Sequence, residues 1–88
     1  MAYDWPAGAP AISIVTPTFN RRDVLLRAIA SVQAQDYRDY EHIVVDDGST
    51  DGTREAVLAI DDPRLRYLRL EERRGANAAR NHGIRAAR

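Results

Sequence analysis

At 88 residues, with 44% hydrophobic and 30% charged side chains, the chain is sized for one small globular domain with a marginal core, which excludes a full-sized enzyme, a disordered segment and a membrane-spanning bundle. It has no cysteine, so disulfide staples, thiolate metal sites and thiol catalysis are ruled out, and no lysine: all 13 basic side chains are arginine, which removes a P-loop lysine and a Schiff-base lysine. The formal net charge is zero, yet residues 64–88 hold eight arginines against Glu71 and Glu72 while residues 1–63 hold five against eleven acids, an asymmetry of the kind that accompanies an anionic ligand.

Residues 1–10, with Pro6, Gly8 and Pro10, read as an irregular leader with neither the basic region nor the apolar core of a signal peptide. No apolar run reaches transmembrane length, so a cytoplasmic chain is expected, with any membrane attachment left to further segments of a longer parent. Ala11 to Thr16 reads as the first strand, halted by Pro17, whose missing N–H cannot serve a central ladder. Thr18 to Arg22 is a loop. From Asp23, a suitable N-cap, Val24, Leu25, Ala28, Ile29 and Val32 recur at helical spacing as far as Gln35, which predicts a helix with one buried face. A polar connection over Asp36 to Tyr40 leads into a second strand from Glu41 to Asp46. Its β-branched Ile43, Val44 and Val45 form the short unbroken apolar run of a strand buried on both faces.

Ser49, Thr50 and Asp51 then offer caps for a helix over Thr53 to Ile60, with Val57 and Ile60 on its buried face, and Asp61-Asp62-Pro63 stops it. Leu65 to Leu70 reads as a third strand whose partial alternation predicts less complete burial than the first two. Glu71 to Gly75 is a charged loop, and Ala76 to Arg88 a third helix of good helix formers interrupted only by Gly83. The order β-α-β-α-β-α over residues 11–88 predicts a three-layer α/β/α, Rossmann-like parallel sheet with right-handed crossovers. The last helix has no strand to return to, so the chain is expected to be the first half of a longer doubly wound domain. An unpaired strand edge and an uncovered apolar face then predict self-association.

The chemistry concentrates between His42 and Gly52. An apolar strand runs into Asp46 and Asp47 and then into the turn Gly48-Ser49-Thr50-Asp51-Gly52, and in open α/β sheets ligands sit outside the carboxyl ends of the strands. Side chains alternate across a strand, so the two carboxylates face opposite sides: one is free to look toward a ligand while the other pairs with loop backbone. His42 and His82 have neither a cysteine nor another histidine at zinc-binding spacing and read as structural.

Three ordered segments, Ile14-Val15-Thr16-Pro17-Thr18-Phe19-Asn20-Arg21, Val44-Val45-Asp46-Asp47-Gly48-Ser49-Thr50-Asp51-Gly52-Thr53 and Gly75-Ala76-Asn77-Ala78-Ala79-Arg80-Asn81-His82-Gly83, resemble the amino-terminal, nucleotide-binding half of family 2 inverting glycosyltransferases with the GT-A fold. The resemblance covers residues 12–88. It implies a nucleotide-diphosphate sugar as donor, with a UDP-sugar expected, and transfer of the sugar to an acceptor hydroxyl, saccharide or other, with inversion. By the same resemblance Pro17 and Thr18 end the first strand where the nucleoside lies. Phe19 offers a ring either for stacking on the base or for packing under the loop. Asp47 resembles the acid that accepts a hydrogen bond from the pyrimidine ring N–H, with Asp46 as its supporting partner or the roles reversed. Arg80 stands where the family places a basic residue facing the nucleotide. It is suited to contacting the base, to offsetting diphosphate charge or to an ion pair with Asp46 or Asp47. Asn77 and Asn81 lie a turn apart beside it.

Inverting transfer also needs a carboxylate base for the acceptor and a positive group for the departing diphosphate. The resemblance implies Mg²⁺ or Mn²⁺ for the latter in a complete enzyme, held by aspartates after a further strand, with the base beyond them. Asp61-Asp62, ahead of the third strand and followed by Pro63, reads as a turn. Within this chain no catalytic residue, metal ligand or resident cofactor is therefore expected, and the chain is read as a nucleotide-binding half without turnover. The alternative is a non-catalytic nucleotide-binding or regulatory module on the same frame. Nucleic acid is not an expected partner, because net charge is zero and the third helix carries no aromatic.

Overall fold

A computed structural model describes Trp5, residues 8–70 and residues 74–87. Most of the leader, Glu71, Glu72 and Arg73 of the charged loop, and Arg88 lie outside the described residues. Six elements alternate: β1 (Ile12–Thr18), α1 (Arg22–Gln33), β2 (Tyr40–Asp46), α2 (Thr53–Leu58), β3 (Leu65–Arg69) and α3 (Ala76–Ala86). The strands form one parallel sheet in the order β1-β2-β3, with Thr18 opposite Asp46 and Asp46 opposite Arg69 at its carboxyl end.

The hydrophobic pattern assigns the layers. Val44 packs with Leu25 and Ile29 of α1 and Val57 of α2, joined by Ile60, Leu65 and Tyr67. Ile43 and Val45, pointing the other way, pack with Ala79 of α3 and with Leu70, Val15 and Leu68. The first two helices therefore cover one face and α3 the other, which is the three-layer arrangement expected from the element order. Every residue of β2 is buried because it is the central strand with helices on both faces. Ile43, Val44 and Val45 are fully enclosed, each stabilising the fold by roughly 1.5–3 kcal/mol relative to an exposed side chain. Gly83 meets the sheet where a Cβ would lie 2.4 Å from Val15 Cγ1 and 2.9 Å from Val45 Cγ2, so α3 approaches as closely as it does only because this position has no side chain.

Several boundaries differ from the sequence-based expectation. β1 does not stop at Thr16: it passes through Pro17, paired with Val45, to Thr18. Backbone groups of successive strand residues alternate in direction, and the Thr18 carbonyl accepts the Asp47 N–H at 2.9 Å. The Pro17 nitrogen accordingly faces the side of β1 on which the described residues place no strand, and its missing donor costs nothing there. β1 is also not more completely buried than the third strand, as expected from the sequence: Ile12 and Ser13 are exposed and only Thr18 is buried. It lies at the edge of the described sheet, no better covered than β3.

Asp23 does not cap α1. The helix begins at Arg22, with Arg21 in the cap position making no side-chain cap bond, and Asp23 sits exposed in the first turn. The cap comes from another loop: Asp51 Oδ2 accepts the Arg22 N–H at 3.0 Å. The other oxygen of Asp51 accepts the Thr53 N–H at 3.2 Å and the Thr53 hydroxyl, so one carboxylate serves the amino ends of both α1 and α2. The helices α1, α2 and α3 end at Gln33, Leu58 and Ala86, each two residues before the end expected from the sequence.

Candidate functional site

The carboxyl ends of β1 and β2 lie side by side, and the loops that leave them are stitched together. Asn20, in the left-handed conformation at φ 49°, donates its N–H to Ser49 Oγ at 2.8 Å and accepts the Thr50 N–H on Oδ1 at 2.8 Å. Ser49 and Thr50 thus act as ties to the β1–α1 loop, where the sequence alone reads them as helix caps. Gly48, at φ 89°, turns the chain directly after Asp47.

The paired acids divide as strand alternation requires. Asp46 is completely buried on the α1/α2 face, where Oδ1 accepts the Ser49 N–H at 2.8 Å and Oδ2 accepts the Tyr67 hydroxyl and, at 3.4 Å, an Arg69 N–H. Burial and the bond to Asp46 push the Tyr67 phenol up to about 12, so it remains a donor at physiological pH. Asp47 points to the α3 face. Its two oxygens accept the backbone N–H groups of Arg74 at 2.6 Å and Gly75 at 2.7 Å, which draws the start of α3 over the end of β2. Gly75, at φ 91°, supplies the turn into that helix.

This arrangement leaves a cleft of about 380 Å³ lined by Pro17, Thr18, Phe19, Arg21, Asp47 and Ala76. Four of the six residues singled out from the sequence, Pro17, Thr18, Phe19 and Asp47, therefore meet in one hollow. Asp46 is not at its wall but behind it. Arg80 lies further along α3, exposed, with its guanidinium 3.2 Å from Asn77 Oδ1, and does not line the cleft. Asn81 belongs to a different hollow with Leu70, Arg74 and His82. Sequence reasoning missed Arg21 and Ala76. The available signals were the position of Arg21 at the end of the first matched segment and that of Ala76 directly after the turn glycine.

The walls of the cleft suit a planar, partly polar ligand: the Phe19 ring, the Pro17 and Thr18 backbone, a carboxylate acceptor and a guanidinium donor. They do not suit a divalent cation. Among the described residues no three of His, Asp and Glu cluster to hold a metal, and both Asp46 and Asp47 spend their oxygens on hydrogen-bond donors on opposite faces of the sheet. No described helix is long and apolar enough to cross a membrane.

Comparison with known proteins bears on the fold and the family. The chain is 44% identical over 78 residues to the GalNAc(5)-diNAcBac-PP-undecaprenol beta-1,3-glucosyltransferase of Campylobacter jejuni, covering 85% of this chain and 25% of that protein. It is 46% identical over 79 residues to the succinoglycan biosynthesis protein ExoO of Rhizobium meliloti, covering 90% and 23%. Among solved structures, the mannosyltransferase PcManGT from Pyrobaculum calidifontis, in complex with GDP-Man and Mn²⁺, superposes with a TM-score of 0.81 at 32% identity over 99% of this chain and 27% of that one. The fold is that of the GT-A glycosyltransferases, and the chain spans about a quarter of the length of these relatives. The family model for glycosyl transferase family 2 matches residues 13–88, nearly everything after the leader, and the chain belongs to that family.

Proposed function

We propose that this chain is the nucleotide-binding portion of an inverting glycosyltransferase that takes its sugar from a nucleotide-diphosphate donor, a UDP-sugar, and passes it to an acceptor hydroxyl. The observation that carries the reading is the cleft at the carboxyl ends of β1 and β2, where Asp47, Thr18 and Phe19 line one hollow of about 380 Å³. Asp47, an acceptor through both carboxylate oxygens, orders the Arg74 and Gly75 amides and stands on the cleft wall, where the ring N–H of a pyrimidine would meet a carboxylate acceptor. Phe19 supplies the stacking face and Asp46 the rigid support behind the loop. Family membership and the GDP-Man in the related mannosyltransferase structure support a nucleotide-sugar donor. The metal and the general base belong to other parts of a longer protein in this reading, so the 88 residues bind nucleotide without turning it over. Self-association through the incomplete sheet is part of the same proposal, and light scattering that gives a monomer at working concentration would remove that part.

The test is a ¹⁵N–¹H correlation spectrum titrated with UDP and, separately, with GDP. The expected result is shifts confined to Thr18, Phe19, Asp47, Gly75 and Ala76, larger with UDP. A dispersed spectrum untouched by either nucleotide overturns the reading, and transfer of radiolabelled sugar by this polypeptide overturns the claim that it lacks turnover.

A further inference from the structure

Among the described residues Arg21 is the one cation lining the cleft, and its side chain has no task within the described fold. It is exposed, it occupies the cap position of α1 without making a side-chain cap bond, and among the described residues its guanidinium has neither a hydrogen-bond nor an ion-pair partner. Its neighbour Arg22 is committed: that guanidinium donates to the Asp51 carbonyl at 3.2 Å and to Asp23 at 3.3 Å. Arg21 also borders the adjoining hollow formed by Asn20, Arg22, Asp23, Val24 and Asp51, so its side chain stands at the junction of the two.

Charge in the cleft poses a problem that Arg21 is placed to solve. Among the described residues the other ionisable group on its wall is Asp47, a carboxylate and so no binder of a diphosphate. Partial positive charge is available from the amino ends of α1 and α3, which reach the cleft at Arg21 and Ala76, but it is spread over backbone groups and falls off within a turn. A guanidinium has full charge and a planar fork that matches two phosphate oxygens.

We propose that Arg21 binds the diphosphate of the nucleotide held in this cleft and so makes the site prefer nucleoside diphosphates to nucleosides. The inference rests on the nucleotide-binding reading above and adds a division of the cleft: Phe19 and Asp47 read the base, and Arg21 reads the charge. Because the Arg21 side chain is exposed and bonds to nothing in the described fold, and its carbonyl still accepts the Leu25 N–H in a variant, its truncation leaves the architecture intact.

Isothermal titration of the 88-residue chain with UDP, uridine, GDP and guanosine tests it through the ratio of diphosphate to nucleoside affinity. Arg21→Ala is expected to weaken UDP binding by about tenfold or more while changing uridine binding by less than about twofold, with Arg21→Lys recovering part of the loss. Arg27→Ala, which removes the same charge from an exposed position on α1, is expected to leave the ratio unchanged. An unaltered ratio in Arg21→Ala, equal losses of UDP and uridine, or the same loss in Arg27→Ala overturns the assignment while leaving the nucleotide site standing. A wild-type chain that binds none of the four compounds overturns the nucleotide reading, and this inference with it.

Discussion

The Asp47 carboxylate at the end of β2 accepts the backbone N–H of Gly75 at 2.7 Å, across 28 residues of chain. The same side chain that faces the cleft therefore also anchors the helix that walls it. Replacing Asp47 with Asn leaves one acceptor and turns the other position into a donor facing a backbone N–H. We expect a stability loss of about 1–3 kcal/mol in urea denaturation, faster exchange of the Arg74 and Gly75 amides, and weaker nucleotide binding. Slow exchange at Gly75 in Asp47→Asn would show that the anchor is not what holds the loop.

Gly83 is expected to resist substitution even though alanine is the better helix former. The propensity gain of about 1 kcal/mol is outweighed by a methyl group placed 2.4 Å from Val15 Cγ1, an overpacking that costs about 1–3 kcal/mol. Gly83→Ala should therefore unfold at lower denaturant, and the pair Gly83→Ala with Val15→Ala should show a favourable coupling in a double-mutant cycle. Simple additivity would place the contact elsewhere.

Asp51 carries the amino ends of two helices, and the hydrogen bond from the Thr53 hydroxyl holds its carboxyl below the usual range. Asp51→Ala is expected to lower the urea midpoint, with amide exchange accelerated in the first turns of both α1 and α2. Acceleration in α2 alone would mean that the bond to Arg22 contributes nothing.

His42 gives the fold a pH dependence. It is buried on β2 with Nε2 2.8 Å from Thr16 Oγ1, and burial lowers its pKa below the ordinary value of 6.5, an effect only partly opposed by the charge of Asp62. The unfolded chain then takes up a proton at this residue before the folded one does, so stability is complete above 6.5 and falls as pH drops below it. The urea midpoint should be lower at pH 5.5 than at pH 7.5, and His42→Gln should flatten that difference, because carboxylates titrate below this window. An equal slope in the variant would assign the effect to another group.

The periodicities of the chain were sufficient to determine the element order, the parallel three-layer fold, the opposite orientations of Asp46 and Asp47 and, through three short segments, the family. Each of these depends on residues near one another in sequence: alternation along β2, helical spacing in α1, glycine where the chain reverses at Gly48. What only the tertiary structure decided are the partnerships across 20 residues or more. Pro17 is tolerated inside β1 because its nitrogen faces away from β2, Asp51 caps a helix 29 residues earlier, Tyr67 closes over Asp46, and Arg21 and Ala76 come to line one cleft from opposite ends of the chain. A carboxylate shows in its own neighbourhood that it needs donors. Which donors reach it depends on how the helices settle on the two faces of the sheet, and that is set by the packing of both cores together.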